Sequence, residues 1–141
     1  MNIIKIHGFH EIYDVFSKLS NSFFSFHGDL KAFALKLSEN ATVYVCIHEQ
    51  APVGVIAFYA NRFEEKTAFI TSVLVDSKLK GQGIGTLLLK TAESECQRRG
   101  FNRMKLEVDK QNNCAIQFYT KHQYQILDDA SRHSIYMIKN L

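Results

Sequence analysis

The chain has 141 residues, of which 46% are hydrophobic and 22% charged, the size and composition of a single globular domain with a sizeable core. Its net charge of +3 suits a polyanionic small molecule, but it is too small for a nucleic-acid surface, and among its scattered basic residues only Arg98-Arg99 are adjacent. No apolar run reaches the roughly 18 residues of a membrane-spanning helix, and the apolar stretch of Met1-Asn-Ile-Ile-Lys-Ile-His7 is too short for a signal peptide.

The elements follow in order. Ile3 to Ile6 reads as a short strand. His10 to Leu19 carries Ile12, Val15, Phe16 and Leu19 at helical spacing, and Asp29 to Leu37 repeats this with Leu30, Phe33, Ala34 and Leu37, capped by Gly28 or Asp29. Between them lies the aromatic segment Ser22-Phe-Phe-Ser-Phe26. Thr42 to His48 and Val53 to Tyr59 are predicted strands joined through a turn at Glu49-Gln-Ala-Pro52. Asn61 to Lys66 is a polar connection, and Thr67 to Val75 a long strand. Gly83 to Arg99 is predicted helical, with Ile84, Leu87, Leu88, Thr91, Ala92 and Cys96 on one side and Gly100 just beyond its end. Asn102 to Val108 alternates as a strand. Asn112 opens a helix to about His122, and strands at Tyr124 to Leu127 and Ser134 to Ile138 close the chain. The order is β-α-α-β-β-β-α-β-α-β-β: a mixed α/β (α+β) domain over residues 1–141, with a mostly antiparallel central sheet and helices on both faces. The Ser134 to Ile138 strand is expected at an exposed edge, where it is a candidate for pairing in a homodimer.

The most informative stretch is Thr71-Ser-Val-Leu-Val-Asp-Ser-Lys-Leu-Lys-Gly-Gln-Gly-Ile-Gly-Thr-Leu-Leu-Leu89. A β-branched strand runs through a polar turn into alternating Gly81, Gly83 and Gly85 at the start of a helix. Glycines there let backbone approach a ligand closely, and the first amides of a helix lack internal partners at the positive end of its dipole. This arrangement binds phosphate. A G-x-G-x-x-G dinucleotide fingerprint fails, because Thr86 or Leu88 stands at the third glycine. A P-loop fails too, for want of a second glycine at Thr86 and a following Lys-Ser/Thr.

Lys80-Gly-Gln-Gly-Ile-Gly85 resembles the acyl-CoA loop of the GNAT superfamily of acetyltransferases, written R/Q-x-x-G-x-G/A. Gly83 and Gly85 match its glycines, while Lys80 replaces the usual Arg or Gln. Asn112-Asn-Cys-Ala-Ile-Gln-Phe-Tyr119 resembles the family's N-x-x-A-x-x-x-Y segment; the Gly-Phe that usually follows is Gln123-Tyr124 here. The two segments place residues from about 67 to 126 in the family; the first half fits by its element order. The resemblance implies an acetyl-CoA-dependent N-acetyltransferase. Val73, Leu74 and Val75 would supply backbone along the pantetheine arm. The loop of Lys80, Gly81, Gln82, Gly83, Ile84, Gly85 and Thr86 would hold the pyrophosphate, and Asn112 would contact the cofactor. Tyr119 would be the acid that protonates the leaving thiolate.

Each role has a plainer alternative. Val73 and Val75 also suit a core strand, Asn112 an N-cap, and Tyr119 a packed aromatic. Glu107 lies twelve positions before Tyr119. The same spacing occurs in relatives that acetylate the N-terminal amine of a ribosomal protein, where this Glu is the proposed base; a surface pair with Lys105, or a water chain as base, is the alternative. Ser22 to Phe26 would form part of the acceptor site or fill core. His122, one turn after Tyr119, is expected to be an exposed surface histidine, although it is placed to couple to Tyr119.

The spacing of the histidines and of Cys46, Cys96 and Cys114 suggests no metal site and no disulfide framework, so no metal is expected and a reducing cytoplasmic setting is. The acceptor is an unidentified small-molecule or peptide amine. Transfer from another acyl-CoA and a catalytically silent CoA-binding module remain as alternatives.

Overall fold

A computed structural model describes residues 1–20 and 28–141; the aromatic segment Ser22–Phe26 lies outside them. The chain runs β1 (Asn2–Ile6), α1 (Phe9–Ser20), α2 (Leu30–Asn40), β2 (Thr42–His48), β3 (Ala51–Tyr59), β4 (Thr67–Val75), α3 (Ile84–Arg98), β5 (Arg103–Asp109), α4 (Asn113–Lys121), β6 (Gln125–Asp129) and β7 (Ser134–Asn140), with short 3-10 turns at Phe63–Glu65 and Ser77–Leu79. The predicted order of elements is observed. The seven strands form one sheet in the order β1-β2-β3-β4-β5-β7-β6. All neighbours are antiparallel except β4 and β5.

Local chemistry sets the element ends. The Asp29 carboxylate accepts from the amides of Lys31 (3.0 Å) and Ala32 (3.2 Å) and starts α2. The β2–β3 turn is tighter than the expected Glu49–Pro52 span. Glu49 and Gln50 both take positive φ, 51° and 66°, and a two-residue turn of that hand matches the twist of the paired strands. Ala51 and Pro52 therefore already belong to β3, and Pro52 is tolerated beside a register shift at Cys46/Ile47.

Two cores sandwich the sheet. On one face α1 and α2 bury Ile12, Phe16, Leu19, Ala34 and Leu37 against Val43, Val45, Val55 and Ala57. On the other, α3 buries Ile84, Leu88, Leu89, Ala92 and Cys96 against Ile56, Phe58, Ala68, Met104 and Leu106. Each fully buried Leu or Ile contributes on the order of 1.5–3 kcal/mol. Within the second core, Glu93 of α3 accepts from the Tyr124 hydroxyl (2.8 Å) and from Lys139 Nζ (3.0 Å), so its buried carboxylate is paired as burial requires.

One expectation is corrected. The strand at Ser134 to Ile138 is not an edge: β7 lies inside the sheet, paired with β5 along one side and β6 along the other. Its Ile135 and Met137 are buried, whereas every residue of β6 is exposed. The more apolar strand takes the covered place, and β6 becomes the edge.

Gly54 of β3 seats α3 on the sheet. A Cβ there would lie 2.8 Å from Ile84 Cγ2 and 2.9 Å from Leu88 Cδ1, closer than packed carbon atoms allow. Gly54→Ala is expected to destabilise the fold by about 1–3 kcal/mol, the usual range for overpacking, as measured by urea denaturation. A change below about 0.5 kcal/mol, ordinary for a neutral surface site, would show that α3 is not held by this contact.

Candidate active site

The site begins where two strands part. β4 and β5 pair from Thr67↔Arg103 to Ile70↔Leu106 and no further. On its other side β4 stays paired with β3 through Val75, but the register skips Thr71: Phe58 faces Ile70, whereas Ala57 faces Ser72. Thr71 is thus the extra residue of a β-bulge, which bends its strand and shifts its side chains by one position. Ala68 and Ile70 point into the α3 core before the bulge. After it Val73 and Val75 do so, and Leu74 turns to the opposite face. Among the described residues, the β5-facing edge of Thr71–Val75 is left without a strand partner.

A cavity of about 600 Å³ occupies the gap. Val73, Leu74 and Val75 form one wall. Lys80, Gly81, Gly83, Ile84, Gly85 and Thr86 form a second, and Asn112, Cys114, Phe118, Tyr119 and His122 close it from α4. Leu19 of α1 also lines it, so the cavity reaches the α1 side of the sheet. Of the predicted cofactor residues only Gln82 does not line it.

The glycine loop is built for close approach. Gly83, the N-cap of α3, has φ 83° and no side-chain cap. A Cβ at Gly83 or Gly81 would meet nothing within 4 Å. The amides of Ile84, Gly85 and Thr86 begin the helix and have no intrahelical acceptor. Gly85 serves packing instead, since a Cβ there would stand 3.4 Å from the Phe118 ring. These open amides, together with the unpartnered edge of β4, fit an extended ligand with phosphate at one end.

Asn112 caps α4 by accepting from the Ala115 amide at 3.1 Å, which leaves its NH₂ group to meet a ligand. Tyr119 packs edge-on to Phe118 and Tyr124, with ring centroids 5.2 and 5.5 Å away. Burial pushes its phenol up to about 12. The expectation for His122 is corrected: the ring is half-buried, its Nε2 lies 3.1 Å from Thr86 Oγ1, and it packs on Phe118 at 4.8 Å. Desolvation holds it below the ordinary imidazole value. The Gln123-Tyr124 departure also has a structural account. Gln123 takes φ 71°, a conformation in which glycine is easier, and Tyr124 is buried with its hydroxyl on Glu93.

Glu107 does not line the cavity. It projects from β5 on the face opposite Leu106 and Val108, exposed, and accepts a hydrogen bond from the Ser134 hydroxyl. Lys105 of the same strand lies over the Tyr136 ring at 4.1 Å, so the pair expected between Lys105 and Glu107 is replaced by separate partners on β7. Sequence patterning missed Leu19 and Lys121, both of which line the cavity; neither carries a local signal for doing so.

A model of the acetyltransferase (GNAT) family matches residues 9–124. The chain is 38% identical over 74 residues to the uncharacterized protein YxbD of Bacillus subtilis, covering 52% of the chain and 43% of that protein. It is 33% identical over 82 residues to an uncharacterized N-acetyltransferase of Methanocaldococcus jannaschii, covering 55% and 36%. The chain spans less than half the length of these curated relatives. Among solved structures, the ribosomal-protein-S18-alanine N-acetyltransferase of Escherichia coli superimposes with a TM-score of 0.81 at 17% identity, covering 99% of this chain and 94% of that one. The PaiA N-acetyltransferase of Thermoplasma acidophilum in complex with coenzyme A does so with 0.76 at 14%, covering 100% of both. These two likenesses are of fold.

The Tyr119 environment has a direct spectroscopic consequence. In an alkaline titration followed by tyrosinate absorbance, Tyr119→Phe is expected to remove a component that ionises near pH 12 and to leave the lower-pH part of the curve unchanged. Loss of a component close to the ordinary phenol value of about 10 would mean that the phenol is well solvated.

Proposed function

The chain belongs to the acetyltransferase (GNAT) family, and we propose that it transfers an acetyl group from acetyl-CoA to the amine of a small-molecule or peptide acceptor. One observation carries this reading: the edge of Thr71–Val75 that has no strand partner among the described residues lines one cavity with the open amides of the Gly83 loop and with Tyr119.

Acetyl-CoA supplies an activated thioester. The backbone of Val73 to Val75 would hold the pantetheine arm by strand-like hydrogen bonds, and one amide of this edge would polarise the thioester carbonyl. The amides of Ile84 to Thr86 would hold the pyrophosphate, with Lys80 and Lys121 adding positive charge at the cavity wall. Tyr119 keeps its proton at neutral pH, as an ordinary phenol does, with burial raising it further, and it would give that proton to the departing thiolate. The cavity reaches Leu19 on the α1 side, and an amine would approach from that face, the one from which Glu107 projects. Glu107, oriented by Ser134, would take up the amine proton directly or through water. The fold likeness to an enzyme named for an alanine of a ribosomal protein makes a peptide N-terminus one acceptor to test.

The test is thiol release from acetyl-CoA with a panel of peptide, amino-sugar and polyamine amines. Single-turnover rates with Tyr119→Phe are expected to fall about 10- to 1,000-fold, with acetyl-CoA affinity little changed. Undiminished turnover would reduce Tyr119 to packing. Faster transfer from a longer acyl-CoA would replace the donor, and binding with no release to any amine would leave a silent CoA-binding module.

Glu107→Gln is expected to lower the rate and to remove the acidic limb of the pH–rate profile, since the amide cannot accept a proton. A wild-type profile in this variant would assign the base to water.

A further inference from the structure

The contact between His122 and Thr86 has no part in the transfer chemistry described above. Thr86 is the third residue of α3, so its hydroxyl stands beside the open amides of the helix start. The His122 ring at 3.1 Å closes α4 against that start. The resemblance that picked out the glycine loop assigns nothing to His122. We propose that His122 is a proton-linked binding residue for the pyrophosphate of CoA: neutral while the loop holds no anion, and protonated when a phosphate occupies the α3 N-terminus. The inference rests on the CoA reading of the cavity.

The surroundings give the sign. The charged groups near the ring are Lys90 and Glu93 of α3, Lys139 of β7 and Lys121 of its own helix. Three are cations that resist a further positive charge. Glu93, the one carboxylate among them, favours the charged ring more than any single lysine opposes it, while it is itself engaged by Tyr124 and Lys139. Burial acts in the same direction as the cations and is the larger cause. The balance favours the neutral ring, and Lys80 and Lys121, which line the same cavity, act in that direction too. A phosphate on the amides of Ile84 to Thr86 would lie beside Thr86, whose hydroxyl the ring meets at 3.1 Å. An anion within roughly 4–6 Å favours the charged form of a base. Binding the anion and binding the proton then support each other, and by linkage each strengthens the other by the same factor. A rise of about one unit in the ring's proton affinity makes CoA bind about tenfold tighter below the ring's titration than above it. Once protonated, both ring nitrogens donate, so Nε2 turns from a tautomer-dependent partner of Thr86 into a fixed donor toward the site.

Calorimetry on the full chain tests this between about pH 6 and pH 8, the range in which histidine titrates. The ligand is dephospho-CoA, which keeps the pyrophosphate but lacks the phosphomonoester whose own ionisation near pH 6 would add a proton. Wild type is expected to bind severalfold more tightly at the lower pH, the part of a tenfold linkage that falls within this range for a ring held below the ordinary imidazole value, and to show net proton uptake when buffers of different ionisation enthalpy are compared. His122→Gln keeps a polar contact with Thr86 but cannot titrate, so it is expected to lose both the pH dependence and the uptake. In wild type the imidazole C–H resonances of His122 are expected to move toward the cationic position on adding dephospho-CoA near neutral pH. Equal pH dependence in wild type and His122→Gln overturns the inference alone. So does proton linkage that appears with CoA but not with dephospho-CoA, which would place the proton on the ligand. No binding of either ligand at any pH overturns the CoA reading, and the inference with it.

Discussion

The extra residue at Thr71 is the constraint on which the rest of the molecule turns. A parallel pair cannot open in the middle of a sheet unless one strand is bent, because unpaired backbone groups are costly when buried. The bulge bends β4 one residue after its last pairing with β5 and so creates an edge inside a sheet that otherwise has edges only at β1 and β6. The parity change that accompanies it turns Val73 and Val75 toward α3 and Leu74 toward α1. One inserted residue therefore opens the gap and gives it an apolar lining toward both faces of the sheet.

Two close approaches then set the height of the loop above that gap. Gly54 lets Ile84 and Leu88 press onto β3, and Gly85 lets Phe118 press onto the first turn of α3. The helix start is held from below by the sheet and from the side by α4, on whose far end His122 reaches Thr86. Amides that must meet an anion without reorganising are most useful when held in this way. The loop itself stays open, because side-chain bulk is absent at Gly81 and Gly83 and the packing falls on residues to either side of them.

Much of this was legible in the sequence. Element order, the helix-opening glycines, the Asn112 cap and the shared face of Tyr119 and His122 all follow from periodicity and residue type, which are local signals. What was not legible is what depends on pairing between distant segments. The bulge leaves no mark in Ile70-Thr-Ser-Val73, because β-branched and small residues suit a regular strand equally well. The sheet position of β7 is decided by competition between β6 and β7 for β5, not by either strand alone. The placement of Glu107 outside the cavity follows from strand parity combined with the bend in the neighbouring strand. Its Ser134 partner is 27 positions away in sequence. Gln123 at positive φ is a local conflict that only the burial of Tyr124 resolves.

The edge strand β6 has a consequence for how the protein behaves in concentrated solution. It presents Ile126 and Leu127 at 62% and 48% exposure, and a free strand edge of that kind is a template on which other chains can polymerise. Here the register slips between Ile126 and Asp128, and two consecutive aspartates end the strand, with only Asp129 paired, to Lys110. A second copy laid alongside would bring like charges together on an interrupted ladder. The same irregularity that makes β6 a poor strand makes it a poorer template for a further strand than a regular edge would be.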